Sequence, residues 1–144
     1  MVKYNNDLSS IMVDYRPETA ETIMHTGSSV QVNFSPGSTL KGANLGEEYT
    51  LAQFHLHWGS AVGHGSEHTV DGIAAEAEIH FVHWNAVKYT TIEVAMEHAD
   101  GLAVLGAFIY QNDKKSTINQ AQQIIKQFRP SGEWNIGEKY PLSG

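Results

Sequence analysis

Two short stretches of the sequence concentrate residues that could bind a metal ion. They are residues 53–58 (QFHLHW) and residues 78–85 (EIHFVHWN). Each stretch is rich in aromatic and β-branched residues, which is typical of a β-strand. Successive side chains of a strand point to opposite faces, so His55 and His57 share a face, and His80 shares one with Glu78. If the two strands pair, three imidazoles meet at one point.

Three neutral imidazoles are the ligand set of a catalytic zinc site, in which a fourth position stays open for water. Gln53 and Glu78 lie at strand spacing from the histidines. They fit a supporting role, since a ligating histidine normally donates its second ring N–H to a carboxylate or carbonyl. A single histidine in a strand is usually an ordinary polar side chain, but six of the eight histidines lie within residues 55–83. The predicted zinc ligands are His55, His57 and His80.

These motifs resemble the α-class carbonic anhydrases. The resemblance rests on FHLHWGS from Phe54, GSEHTVDG from Gly65 and EIHFVHWN from Glu78, in this order and spacing. It extends upstream through residues 27–34 and downstream through residues 101–106, and so covers most of the chain. It implies reversible hydration of carbon dioxide to bicarbonate and a proton by zinc-bound hydroxide. Carbon dioxide and bicarbonate are then the expected small-molecule partners.

The resemblance also implies roles for residues outside the ligand set. Glu67 would be a catalytic residue, a buried carboxylate that orients a threonine hydroxyl, whereas an isolated loop carboxylate is usually a solvated surface group. Val82, two residues after the last ligand on the same face, is placed to form an apolar surface for carbon dioxide, and the resemblance adds Val104. We expect His68 to be structural and tied to the network near Glu78.

No fast histidine proton shuttle is predicted. Some members of the family carry a histidine directly after the glycine that corresponds to Gly27, but this chain has Ser28 there. A serine hydroxyl does not titrate near neutral pH. His25 lies three residues earlier and need not face the site, and we expect His64 to be a surface loop residue.

The length of 144 residues is that of one domain. The α-class carbonic anhydrases are substantially longer than this chain. The resemblance therefore implies a chain truncated at both ends, without the segment that carries the threonine partner of Glu67. Two functions therefore stay open, an active zinc lyase and a catalytically impaired zinc-binding module. Sheet edges exposed by truncation would favour self-association.

Composition narrows the class of protein. The chain is 41% hydrophobic and 17% charged, and 9 basic against 16 acidic residues give a net charge of −7. This negative charge argues against nucleic acid and anionic membrane as partners. No apolar run reaches membrane-spanning length, no signal-peptide pattern precedes the first strand, and the compartment stays open. The absence of cysteine excludes thiolate metal ligands and disulfides.

Strand signals dominate the rest of the chain. We predict a mainly β (α+β) fold, a central and largely antiparallel twisted sheet with a short peripheral helix, as in part of an α-carbonic anhydrase. The last predicted strand is almost wholly apolar, so we expect it to be central and buried on both faces. The predicted strands are residues 28–34, 49–58, 75–84, 90–97 and 102–110, and the predicted helix is residues 116–128.

Overall fold

The structure is a computed structural model that describes residues 10–60, 63–110 and 133–135. Strands dominate these residues, and the helices among them are a single 3-10 turn at Pro17–Thr19 and α1 at Ile92–Met96. The described strands are β1 (Ile11–Asp14), β2 (Ala20–His25), β3 (Val30–Phe34), β4 (Thr39–Gly42), β5 (Tyr49–Trp58), β6 (Thr69–Val70), β7 (Ile73–Ala74), β8 (Ala77–Trp84), β9 (Leu102–Ile109) and β10 (Glu133–Asn135).

Strand β5 lies at the centre of an antiparallel sheet. Its partner along one edge is β8, which in turn pairs with β9. The other edge of β5 pairs with β4 near its start and with β3 further along, and β1, β2 and β10 extend the sheet beyond these. Strands β6 and β7 form a separate hairpin. The predicted mainly β, largely antiparallel fold is therefore confirmed.

A β-bulge at Ala52 changes which face of β5 the odd-numbered residues occupy. Leu51 pairs with His83, and Gln53 pairs with Val82, so one extra residue lies between the two pairs on β5. In a regular strand residues 51 and 53 would share a face, but neighbours 82 and 83 of β8 point to opposite faces. The odd-numbered residues of β5 therefore face the core before the bulge and the opposite side of the sheet after it.

The core covers one face of the sheet. An aromatic chain on this face joins Phe34 to Phe54 and Phe54 to Phe81, with ring centroids 5.7 and 5.5 Å apart, and Tyr15 stacks on Phe81 at 5.3 Å. The buried apolar side chains on β3, β4 and β5 are Val30, Val32, Leu40, Tyr49 and Leu51.

No helix within the described residues is long and apolar enough to cross a membrane.

One predicted strand is wrong, and so is the predicted burial of another. Residues 90–97 were expected to form a strand, but the chain forms helix α1, because the Thr91 hydroxyl accepts a hydrogen bond from Val94 N–H and caps the first turn. Strand β9 is not buried on both faces: it pairs only with β8 among the described strands, and Val104 is 55% exposed. The predicted helix at residues 116–128 lies outside the described residues.

Candidate metal centre

The pairing of β5 with β8 brings the three predicted ligands together on the face opposite the aromatic core. His55 lies directly across from His80, and His57 lies across from Glu78. The imidazole centroids of His55 and His57 are 5.0 Å apart, those of His55 and His80 5.4 Å, and those of His57 and His80 4.6 Å. One ring nitrogen from each histidine lies within 4.8 Å of the other two.

Hydrogen bonds fix which nitrogen two of these histidines offer. Gln53 Oε1 lies 2.9 Å from His55 Nδ1, and Glu78 Oε1 lies 2.7 Å from His80 Nε2. Both oxygens accept, so these two nitrogens carry the protons, and the lone pairs are left on His55 Nε2 and His80 Nδ1. His57 Nε2 is buried and has no hydrogen-bond partner among the described residues. Such an orphaned nitrogen fits a position that a metal ion would satisfy.

Glu78 is a buried carboxylate with both oxygens fully engaged. Oε1 accepts from His80 Nε2 and, at 2.8 Å, from His68 Nδ1. Oε2 accepts from the backbone N–H groups of Glu67 and His68, at 3.0 and 2.8 Å. Burial by itself raises the pKa of Glu78, but the hydrogen bonds from His68 and His80 outweigh it and lower the pKa to about 2. The side chain therefore stays ionised at neutral pH.

The environment of His55 favours its neutral form. Its pKa is lowered first by burial and then by the neighbouring imidazoles of His57 and His80. A neutral ring is the form that can donate a lone pair to a metal ion. The three neutral imidazoles of the cluster therefore match the donor set that Zn²⁺ prefers.

Glu67 lies beside the cluster but is not the buried carboxylate that was expected. Its side chain is 58% exposed, while its Oε2 lies 3.8 Å from His57 Nε2 and 3.7 Å from His80 Nδ1. Glu67, His68 and His80 form a second group whose ligand atoms lie within 4.8 Å of one another. Both groups include His80.

An open cavity of about 430 Å³ lies next to the cluster. One side is polar, formed by His68, Glu78 and His80, and the other is formed by β9. Val82 and Val104 are register partners on β8 and β9, so they share the face on which His80 lies. The residues of β9 that line the cavity are Val104, Gly106 and Phe108.

Neither group of possible metal ligands among the described residues includes His25, His64 or His83. His25 Nδ1 accepts a hydrogen bond from Gly27 N–H at 3.0 Å in the turn between β2 and β3, and Ser28 is exposed in the same turn. His64 is exposed in the loop after β5. His83 is fully buried on the opposite face of β8, where its ring stacks on Tyr15.

Two residues that contact or face β8 were not recognised from the sequence. Tyr15 holds His83 through a 2.9 Å contact between its hydroxyl and Nε2, and no local pattern connects residues 68 positions apart. Gly106 lies opposite His80 in the cavity. A glycine inside an otherwise apolar strand is a signal of close approach by another group, and it could have been used.

The fold and the site together define a mainly antiparallel β protein with a three-histidine cluster that could hold a metal ion. The chain belongs to the eukaryotic-type carbonic anhydrase family, whose family model matches residues 1–136. The resemblance noted from the motifs is thereby confirmed.

Curated relatives give the same result over most of this chain. Carbonic anhydrase 1 of Oryctolagus cuniculus is 42% identical over 130 residues, which are 87% of this chain and 55% of that protein. Carbonic anhydrase 1 of Monodelphis domestica is 38% identical over 135 residues, 92% of this chain and 52% of that protein. Carbonic anhydrase 1 of Mus musculus is 38% identical over 133 residues, which are 90% of this chain and 51% of that protein. The chain thus spans about half the length of these relatives.

Proposed function

We propose that this chain binds Zn²⁺ through His55, His57 and His80 and hydrates carbon dioxide reversibly to bicarbonate and a proton. The observation that carries the proposal is the convergence of three histidines with ring nitrogens within 4.8 Å of one another. One nitrogen of the cluster, His57 Nε2, is buried and has no hydrogen-bond partner in the described part of the chain. Membership of the carbonic anhydrase family supports the choice of reaction.

The residues of the chain have distinct parts in this proposal. Zn²⁺ bound by neutral imidazoles would act as a Lewis acid that lowers the pKa of a bound water to about 7. Gln53 and Glu78 hold the rings of His55 and His80 in the tautomers that leave a lone pair for the metal. Fixed rings lose less conformational freedom on binding, so the supporting hydrogen bonds raise metal affinity.

The substrate side of the proposal rests on β8 and β9. Carbon dioxide is apolar, so a surface without hydrogen-bond donors suits it. Val82 and Val104 provide such a surface on the same face as His80. Glu67, whose carboxylate reaches to within 4 Å of two ligand rings, is assigned the role of hydrogen-bond acceptor for the attacking water.

A second candidate function is a zinc-binding module with little catalysis. The specific observation that favours it is the 58% exposure of Glu67, because an exposed carboxylate holds a water or hydroxyl less rigidly than a buried one. Ser28 in place of a titrating shuttle residue points the same way.

Stopped-flow measurement of carbon dioxide hydration by the zinc-loaded chain distinguishes the two functions. The first predicts a rate that rises with pH through a midpoint near 7, as expected for ionisation of a water on zinc. His80→Ala should abolish this rate, and His64→Ala, an exposed loop control, should not change it. One zinc per chain without hydration would support the second function. Failure to bind zinc would contradict both.

A further inference from the structure

Gly106 lies beside the hydrogen bond that orients one proposed zinc ligand. It is the register partner of His80 on the neighbouring strand β9. Together with Val104 and Phe108 it lines the cavity next to the histidine cluster. Those two neighbours carry apolar side chains into the same space, so the position is on the ligand face of the sheet and not in a turn.

The backbone does not require glycine at this position. Gly106 is not among the glycines with positive φ in the described part of the chain, so any L-amino acid could adopt its conformation. Glycine inside a strand also lowers stability, through its greater loss of backbone entropy and the absence of a side chain to pack. Some contact must therefore account for it.

The contact is with Glu78. A Cβ added to Gly106 would lie 3.2 Å from Glu78 Oε1, 3.6 Å from His80 Cδ2 and 3.8 Å from His80 Nε2. The first of these distances is shorter than ordinary van der Waals contact. The atom that would be crowded is the oxygen that accepts from both His80 Nε2 and His68 Nδ1.

Glu78 has little freedom to move away. Its side chain is only 4% exposed, and its other oxygen is held by the backbone N–H groups of Glu67 and His68. A carboxylate pushed aside by a few tenths of an ångström would misalign the bond to His80 or stretch the two backbone bonds. A side chain at position 106 therefore disturbs the geometry that sets the His80 ring.

We propose that Gly106 is a positioning residue for the zinc site. Its missing side chain gives Glu78 Oε1 the room to accept from His80 Nε2, and this keeps the lone pair of His80 Nδ1 directed at His55 and His57. The inference rests on the proposed function, since it concerns the strength of the same site. Gly106 acts through Glu78 and touches no substrate.

The test measures zinc affinity and stability separately in the full chain. Competition with a chromogenic chelator should show zinc binding by Gly106→Ala weakened about tenfold, the lower end of what loss of a supporting hydrogen bond costs. The Tm of the metal-free variant should change little, because the better fit of alanine than glycine in a strand offsets the strain at the Glu78 hydrogen bonds. Ala107→Gly, at the next residue on the opposite face, should lower Tm without changing zinc affinity.

A double-mutant cycle identifies the route of the effect. In a Glu78→Ala background the crowded oxygen is gone, so Gly106→Ala should no longer change zinc affinity. An equal loss in both backgrounds, or a large fall in Tm that accompanies the loss, would show a general structural effect and overturn the proposal. Unchanged affinity of Gly106→Ala would overturn it while leaving the proposed function intact. An unaltered chain that binds no zinc would overturn both.

Discussion

Two histidines three residues apart on β8 occupy opposite environments. His83, on the core face, uses both ring nitrogens within the protein: Nδ1 donates to Ala103 O at 3.2 Å, and Nε2 accepts from the Tyr15 hydroxyl at 2.9 Å. His80, on the cavity face, uses only one nitrogen in this way, since Nε2 donates to Glu78. Both rings are buried, with His83 at 0% and His80 at 7% exposure.

The comparison shows that burial alone does not distinguish a ligand from a structural histidine. His80 and His83 differ in whether the second ring nitrogen has a hydrogen-bond partner within the described residues. A ring with both nitrogens satisfied by backbone and side chain has no lone pair to offer, whereas a ring held by one carboxylate keeps a lone pair free for a metal ion. In the cluster, Gln53 holds His55 and Glu78 holds His80 at one nitrogen each, and His57 Nε2 has no hydrogen-bond partner among the described residues. His83 is a ring of the first kind.

Substituting each of the two histidines should give opposite results. His80→Ala should abolish stoichiometric zinc binding, because two imidazoles and water rarely hold Zn²⁺ tightly. His83→Ala should leave one zinc per chain but lower the free energy of unfolding by about 2–4 kcal/mol, from the cavity and the unpaired groups of Tyr15 and Ala103. Metal analysis after dialysis and urea denaturation of the metal-free variants measure the two effects.

The same measurements on His64→Ala provide the control, since this exposed loop residue should change neither quantity. Retention of one zinc per chain by His80→Ala would show that the ligand set is wrong. Loss of zinc by His83→Ala in a folded protein would show that the two faces are not independent.

The next largest effect concerns the groups that hold the ligand rings. Glu78→Ala should weaken zinc binding by about 10–100-fold, because His80 loses the acceptor that fixes its tautomer. Glu78→Gln keeps the shape but places an NH2 donor against two of the four N–H donors that Glu78 accepts from, so it should also weaken zinc binding. Gln53→Ala removes the equivalent support from His55. Zinc competition assays compare the three variants, and equal affinities for all of them and the unaltered chain would contradict the role of these hydrogen bonds.

The sequence predicted the convergence of the histidines because two simple rules sufficed. Alternation along each strand placed His55 with His57 and His80 with Glu78, and antiparallel pairing then brought the two sets together. The rules did not need the exact register. The bulge at Ala52 has no sequence signal of its own, yet without it Leu51 and Gln53 would share a face.

Other features could not be predicted by the same rules. Residues 90–97 contain β-branched residues that favour a strand, but the hydrogen bond from Val94 N–H to Thr91 starts a helix. The apolar composition of β9 indicated burial on both faces. Composition does not distinguish a core strand from one that lines a cavity, and Val104 proved exposed.

A smaller effect is expected from removing the Tyr15 hydroxyl, which holds His83 on the core face. Tyr15→Phe keeps the aromatic stack but leaves His83 Nε2 without its donor, which should lower the free energy of unfolding by about 1–2 kcal/mol. Burial raises the pKa of Tyr15 to about 12, so the hydroxyl remains a donor at any ordinary pH. Zinc affinity should be unchanged. Urea midpoints test the variant beside Tyr110→Phe, an exposed control, and equal midpoints would contradict the role of the hydroxyl.

The smallest effect should be a pH dependence of stability that arises from the core-face histidine. Burial lowers the pKa of His83 below the ordinary value of 6.5, only partly offset by its backbone hydrogen bonds. The unfolded chain therefore takes up a proton before the folded chain does, and the free energy of unfolding should fall as the pH falls below 6.5. Above that pH both states are neutral at His83, so its full contribution is present. His83→Gln keeps a hydrogen-bonding side chain that does not titrate. The free energy of unfolding of the metal-free variant should therefore fall less steeply as the pH drops below 6.5. His55 and, at lower pH, Glu78 contribute to the fall in the same direction. Urea denaturation across this range measures the slope, and an unaltered slope in His83→Gln would show that His83 accepts a proton in the folded chain as readily as in the unfolded one.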